Sequence, residues 1–333
     1  MEQSNQNRFV LISSPLMSGI ADSIVKRLEA RGFLMSHLHL EFHKFPNGEF
    51  VTQIPQAIRG QHVFFLHALQ HPDPNTAFMQ MLIALDAMQR ASVCGVTLVT
   101  PYLPYLRQDR KDQPRVPISA RMIADLIESN KAVKQLITID MHAEQEQGFF
   151  SIPVENLTGV RLFAEHVRER FADDLANDKL VAVSADFGAS VRNNRLAKAL
   201  GGIPVTIFEK QHPARGETKI VSVIAPRVRG MRVVIYEDII DSGGTILKVE
   251  SALMDMGATS VHVYATHGIF SGNALANFAV SKLDVNCTDS IPRSSEFYSE
   301  HSKWFTRVPI DAYFAEAIYE ATQMGGSISK LSS

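Results

Sequence analysis

Short runs of apolar, β-branched residues recur along the chain. Each is followed by a segment whose apolar positions repeat every three or four residues. The runs are RFVLIS (8–13), HVFFLHA (62–68), VTLVTPY (96–102), QLITID (135–140), LVAVSA (180–185), PVTIF (204–208), RVVIYED (232–238) and SVHVYATH (260–267). Their centres are continuously apolar, as strands buried on both faces require. Between them, SGIADSIVKRLEARG (18–32) places Ile20, Ile24, Val25 and Leu28 on one helical face and ends at Gly32. ISARMIADLIES (118–129), TILKVESALMDMGA (245–258) and DAYFAEAIYEATQ (311–323) read as further helices. The alternation predicts an α/β protein with mainly parallel sheets covered by helices, whose ligands sit at the carboxyl ends of the strands. FPNGEFVTQI (45–54) differs: a Pro-Asn-Gly turn followed by alternation predicts a hairpin or flap.

The chain has 333 residues, room for two domains at roughly 150 residues each. The pattern changes near GFFSIPVEN (148–156). The expected division is an N-terminal domain over 8–155, a C-terminal domain over 156–310, and a final helix and tail over 311–333 that packs on either half. A net charge of −2 and a pI near 6.6 argue against a general nucleic-acid binder, which shows a basic face. They leave room for a local basic pocket. Cys94 and Cys287 are far apart and in no metal-ligand spacing, which fits a reducing compartment. The start, MEQSNQNRF, lacks the basic residues and apolar run of a signal peptide. No apolar stretch nears the ~20 residues of a membrane span. A cytoplasmic enzyme, bound to neither membrane nor nucleic acid, is expected.

VVIYEDIIDSGGTI (233–246) carries the sharpest chemistry. A strand runs into Glu237 and Asp238, then into Asp241, Ser242, Gly243, Gly244 and Thr245 at the start of a helix. Backbone N–H groups and the positive end of the helix dipole make such a loop an anion site, with phosphate as the natural guest. Ser242 and Thr245 add hydroxyls, and the glycines let the backbone approach. The two acids repel phosphate, but they accept hydrogen bonds from a sugar diol and hold Mg²⁺ through water. Together they describe a site for a ribose bearing a 5′-phosphate. The bland reading is a solvated acidic strand end and a capping loop.

This string resembles the PRPP-binding loop shared by phosphoribosyltransferases and the ribose-phosphate pyrophosphokinase (PRPP synthetase) family. PYLPYLRQDRKDQPRVPISARMIADL (101–126), TIDMHAEQEQGFFSIPVENL (138–157), ATHGIFSGNA (265–274) and GSISKL (326–331) resemble the pyrophosphokinases alone. The resemblance covers nearly the whole chain. It implies two phosphoribosyltransferase-type, Rossmann-like α/β domains with mainly parallel sheets. It also implies transfer of the β,γ-diphosphoryl group of ATP to the anomeric hydroxyl of ribose 5-phosphate, with release of AMP. That chemistry needs in-line positioning, Mg²⁺ and cations against developing charge rather than a covalent nucleophile. ATP and the sugar phosphate are expected to meet between the two domains.

Residue by residue, the resemblance assigns Arg107, Gln108, Asp109 and Lys111 to ATP. It places a Mg²⁺ ligand at His142, and gives Asp186, in SADFGAS, a supporting role toward ribose or metal. Lys210 opens EKQHPARGET (209–218), which resembles the family's mobile catalytic loop, so Lys210 and His212 are the expected catalytic positions. An ordinary exposed hairpin is the plain alternative. FPNGE (45–49) resembles a turn that reaches the ATP site of a neighbouring subunit, placing Phe45, Asn47 and Glu49 near the adenine. A dimer-based homo-oligomer, up to a hexamer, follows from that resemblance.

Several positions depart from the family. Lys210-Gln211-His212 replaces Lys-Arg-Arg, exchanging a permanent cation for an imidazole that is mostly neutral at pH 7 if unperturbed. Glu237 replaces an Asp, Asn47 replaces an Asp, and Ala189 puts a methyl where a glycine allows close approach. Near the allosteric site Arg59, Ser327 and Ser329 match, while Ala57 replaces a serine. Three readings therefore stand: an active PRPP synthetase, a pyrophosphokinase acting on another 5′-phosphoryl-ribose such as ADP-ribose, and a non-catalytic regulatory paralogue.

HLHLEFH (37–43) puts His37, His39 and His43 at period two. On one strand face they would either meet solvent or a subunit, or share a zinc ion. Met79, Met81 and Met88 read as core or interface filler. Trp304 reads as packing at the start of a late strand, and the His71–Pro74 turn as a loop without chemistry.

Overall fold

The computed structural model describes residues 8–70, 73–211, 219–224 and 228–332, with the backbone alone at 209–211 and 219–224. The sequence readings on residues 1–7, on His71-Pro72 and on 212–218, His212 included, lie outside the described residues. The chain forms two compact units. One comprises Met1–Thr158, Ser290–Pro292 and Ile310–Ser333; the other comprises Gly159–Asp289 and Arg293–Pro309.

In the first unit the order is β1 (Phe9–Ser13), α1 (Ser18–Ala30), β2 (Ser36–His39), β3 (Phe42–Lys44), β4 (Phe50–Thr52), β5 (His62–Leu66), α2 (Pro74–Arg90), β6 (Gly95–Val99), α3 (Ser119–Glu128), β7 (Val133–Ile139) and β8 (Val154–Leu157). In the second it is α4 (Val160–Arg170), α5 (Ala172–Ala176), β9 (Leu180–Ser184), α6 (Ser190–Ala199), β10 (Val205–Gln211), β11 (Lys219–Ile224), β12 (Arg232–Ile240), α7 (Gly244–Asp255), β13 (Ser260–Gly268), α8 (Ala274–Val280), β14 (Leu283–Thr288), α9 (Ser295–Glu300) and β15 (Phe305–Val308). The last helix, α10 (Asp311–Thr322), belongs to the first unit and lies against α1.

Among the described residues the first sheet runs β2-β1-β5-β6-β7-β8, every neighbouring pair parallel. The second runs β11-β10-β9-β12-β13-β14-β15, parallel except for the β10–β11 pair. β6 and β9 are buried at every residue, as their unbroken apolar runs require. In each sheet the strand order reverses once, between β1 and β5 and between β9 and β12. Ligands of open α/β sheets bind at the carboxyl ends of strands beside such a reversal.

The first core packs Val10, Ile12, Val63, Phe65, Val96, Leu98 and Leu136 against α2 and α3, through Met81, Leu85, Met88, Ile123 and Ile127. Met81 and Met88 are fully buried, but Met79, one position off that stripe, is half exposed. The 45–54 segment is the turn and second strand of an antiparallel hairpin, β3–β4, that forms its own small sheet. His37, His39 and His43 do not share a strand: the first two lie on β2 and the third on β3, because the chain leaves β2 at Leu40. Trp304 is buried just before β15. Among the described residues no helix is long and apolar enough to cross a membrane.

His67, just past β5, is a buried titratable group. Its Nε2–H donates to the Ala77 carbonyl at 2.9 Å, and its Nδ1 has no hydrogen-bond partner among the described residues. A proton on Nδ1 would therefore be a buried, unpaired charge. Burial pushes the His67 pKa from 6.5 down to about 4. The folded pKa is depressed, so this contribution is whole above the unfolded pKa and is lost as pH falls through the folded one. His67 thus removes on the order of 3 kcal/mol as pH drops from the unfolded value toward the folded one. Urea unfolding should show stability falling between pH 7 and pH 5, and His67→Gln, which keeps a donor for Ala77, should flatten that slope. An equal slope in both proteins would refute the assignment.

Candidate active site

The strand carrying the two acids is longer than its apolar run suggested: β12 continues through Asp238 to Ile240. Its pairing with β9 stops at Ile235–Val183, while its pairing with β13 continues to Ile240–Gly268. Beyond Ile235 the β9-facing backbone needs other partners. Asn193 of α6 supplies them, accepting from the Tyr236 N–H at 2.8 Å and donating to the Tyr236 carbonyl at 2.8 Å. The neighbouring Arg192 guanidinium stands 3.3 Å from Asp238 and 3.9 Å from Glu237. Asp238 is 7% exposed, and a buried carboxylate needs such a partner.

After Ile240 the chain turns through Asp241, Ser242 and Gly243 into α7. Gly243 is the N-cap residue at φ +73°, a left-handed conformation that suits glycine. A Cβ there would run into the Phe278 ring, whereas at Gly244 it would meet nothing within 4 Å. The turn is tied to the segment after β13: the Ser271 hydroxyl donates to the Asp241 carboxylate, and the Ser271 N–H donates to the Asp241 carbonyl at 3.1 Å. Ser242 is exposed and Thr245 half-buried at the first turn of α7. This is the strand–turn–helix frame in which free N–H groups and hydroxyls bind an anion.

Asp186 follows β9, the other strand at the reversal. Its carboxylate accepts from the Ala189 N–H at 2.9 Å and so ties the loop after β9 to the residue that precedes α6. Ala189 has φ −81°, so the family's glycine is not required by the backbone at this position. Lys210 lies inside β10 rather than at the start of a loop. Its backbone pairs with Ile220, and the register shifts between Glu209 and Lys210.

In the first unit, the loop after β6 is pinned by buried Leu103 and Leu106. It carries exposed Arg107 and Lys111, with Gln108 and Asp109 partly buried. The Gln108 side-chain amide donates to the Arg110 carbonyl at 2.7 Å, and the Gln108 backbone carbonyl accepts from the Ala120 N–H at the start of α3. The loop after β7 is its neighbour, and the Thr138 hydroxyl donates to the Pro101 carbonyl at 3.2 Å. Asp140 takes a left-handed φ of +46°, and Asn156 accepts from the Met141 N–H at 3.0 Å. His142 emerges exposed from that turn. At the hairpin tip, Gly48 at φ +95° closes the turn, and the Asn47 amide donates to the Glu49 carboxylate at 2.8 Å. An Asp at 47 would have no such N–H to donate. Phe45 is 45% exposed.

The structure therefore gathers the expected residues by unit. Asp186 and the 237–245 segment share the β9/β12 reversal in the second unit. The loops bearing Arg107 to Lys111 and His142 are neighbours in the first, and Phe45, Asn47 and Glu49 stand on the separate hairpin. Arg192 and Asn193 were not among the sequence candidates. Nothing in the spacing of VRNNR points to the end of a strand more than forty residues away.

The comparisons with known proteins agree with this architecture. The N-terminal domain of ribose phosphate pyrophosphokinase matches residues 9–130, and the phosphoribosyl transferase domain matches residues 154–301. A ribose-phosphate pyrophosphokinase of Hyphomonas neptunium is 37% identical over 318 residues, 95% of this chain and 96% of its own. One from Vibrio cholerae is 41% identical over 277 residues, 83% of this chain and 85% of its own. The crystal structure of phosphoribosylpyrophosphate synthetase from Mycobacterium smegmatis superposes with a TM-score of 0.82 at 29% identity, covering 94% of this chain and 98% of that one. On this sequence and structural agreement, the chain belongs to the ribose-phosphate pyrophosphokinase family.

Proposed function

We propose that the chain transfers the β,γ-diphosphoryl group of ATP to the anomeric hydroxyl of ribose 5-phosphate, giving PRPP and AMP. The observation that carries this reading is the turn between β12 and α7. A glycine-capped helix N-terminus, two acids held by Arg192 and the Asp186 loop all lie at the β9/β12 reversal. Glu237 and Asp238 accept from the ribose hydroxyls, while Asp241, Ser242, Gly243, Gly244 and Thr245 form the turn that receives the 5′-phosphate. Phe45, Asn47 and Glu49 are assigned to the adenine, and Arg107, Gln108, Asp109 and Lys111 to the rest of ATP.

The anomeric hydroxyl oxygen attacks the β-phosphorus in line and its proton passes to solvent, while the bond from that phosphorus to the bridging oxygen breaks and AMP leaves with that oxygen. Lys210, with His212 beside it in sequence, is the cation assigned to the transferring group. Mg²⁺ is the assigned ion, and most of its ligands would be oxygens of substrate phosphate and water. His142 and Asp186 are each assigned a Mg²⁺ contact by the family resemblance, and the ion would neutralise phosphate charge. Work in the cytoplasm as a homo-oligomer in which the hairpin serves a neighbouring subunit completes the reading.

The direct test is to incubate the protein with Mg-ATP and either ribose 5-phosphate or ADP-ribose, and to identify the products by mass. AMP and PRPP from ribose 5-phosphate are expected. AMP formed only with ADP-ribose would move the acceptor, and no AMP with either would overturn the enzymatic reading. A charged hydrogen bond is worth about 1.5–3 kcal/mol. Asp238→Ala should therefore raise the KM for ribose 5-phosphate roughly 10- to 150-fold with far less change for ATP. An unchanged sugar KM would remove the diol assignment. Lys210→Ala should lower kcat by roughly 10²–10³-fold while leaving the KM for ATP within a few-fold. Parallel losses in both would contradict action on the transition state.

A further inference from the structure

In the first unit, the edge strand β2 and the helix that leads to it carry a side-chain cluster of their own. β1 ends at Ser13, and the chain enters α1 at Ser18. β2 runs beside β1 with Ser13 opposite His39. Alternate residues of a strand share a face, so His37 and His39 stand together, their ring centroids 4.1 Å apart. Residues four apart on a helix also share a face, which brings Ser18 and Asp22 of α1 to the same place. His37 Nδ1 is 2.9 Å from Asp22 Oδ1. One ligand atom each from Asp22, His37 and His39 falls within 4.8 Å of the others.

We propose that Asp22, His37 and His39 bind a divalent transition metal of the zinc type. Two imidazoles and one carboxylate form the donor set that such ions prefer, whereas Mg²⁺ demands oxygen ligands in octahedral array. Tetrahedral ligands at ~2.0–2.1 Å from zinc lie roughly 3.3 Å from one another, so the observed group has to close by no more than about 1.5 Å. Asp22 and His39 are exposed and free to make that adjustment. His37 is the fixed member, its side chain 8% exposed.

The surrounding hydroxyls complete the site. His37 Nε2 is 2.8 Å from Ser13 Oγ, and His39 Nδ1 is 3.2 Å from Ser18 Oγ. A metal-bound histidine ordinarily gives its other ring N–H to such a partner, which sets its tautomer and orientation. With Nε2–H donating to Ser13, the His37 Nδ1 lone pair is directed to the ion beside Asp22. Asp22, His37 and Ser13 also form the hydrogen-bonded relay of a hydrolase triad. Ser13 has no exposed surface, however, so a substrate carbonyl cannot reach its hydroxyl. With exposed Asp22 and His39 at its mouth, the site keeps open positions for water. None of the three ligands is assigned to ATP or ribose phosphate, and the proposal stands apart from the transferase chemistry.

The test uses the whole protein, freed of metal by chelation and held in millimolar Mg²⁺. Co²⁺ is the optical probe and Zn²⁺ the competitor. The expected result is one tightly bound Co²⁺ per chain with imidazole-type visible bands, displaced by Zn²⁺ and not by Mg²⁺. Asp22→Asn and His39→Ala alter exposed side chains and should each weaken binding at least ~10-fold. His43→Ala, on the neighbouring hairpin strand, should not. Circular dichroism and AMP formation in the same variants report folding and catalysis independently. Wild-type affinity in Asp22→Asn and His39→Ala, or no Co²⁺ bound above Mg²⁺, would overturn the site.

Discussion

β12 stops pairing with β9 at Ile235 but runs on beside β13 for five more residues. A buried backbone cannot leave its polar groups unmatched. Asn193 takes the N–H and carbonyl of Tyr236, and this one side chain is what lets the two strands separate without penalty. The space that opens is the strand-order reversal where Glu237, Asp238 and Asp186 are found. Removing a partner that satisfies two buried backbone groups costs more than the hydrogen bonds themselves contribute, because each orphan bears its full desolvation penalty. Sheet and acids are thus coupled through α6, and Arg192, next to Asn193, extends the same helix's reach to the carboxylates.

The two units carry different side-chain clusters. At the β9/β12 reversal a glycine turn and paired acids suit a ribose phosphate. In the first unit, Ser13 at the end of β1 and Ser18 at the start of α1 stand beside histidines on the edge strand β2. The hydroxyls of Ser13 and Ser18 meet imidazole rather than phosphate. A parallel sheet with helices on its faces frames both clusters; the donor types differ.

Departures from the family also find physical accommodation. Ala189 sits in ordinary helical conformation just before α6, its N–H bonded to Asp186. Asn47 pairs with Glu49, an arrangement that two carboxylates would resist. Both substitutions are compatible with intact local geometry.

Much of this was legible in the chain alone. The apolar runs at 180–183 and 233–236 point to strands buried on both faces, and the interposed 3.6-residue stripes to helices that cover them. Chemical identity within VVIYEDIIDSGGTI was equally local, since a strand, two acids and a glycine turn are consecutive in the sequence. What lay beyond reach were relationships set by strand order. No periodicity reveals that β12 leaves β9 at Ile235, that Asn193 fills the gap, or that Arg192 meets Asp238. The histidines of 37–43 show the limit most clearly. Period two placed His37 and His39 together correctly, because a strand's side chains alternate. It also enlisted His43, which the break after β2 carries away, and it missed Asp22, which only the packing of α1 against β2 brings alongside. Local stereochemistry is written residue by residue, whereas contacts between distant segments arise from how sheet order and helix packing bring them together.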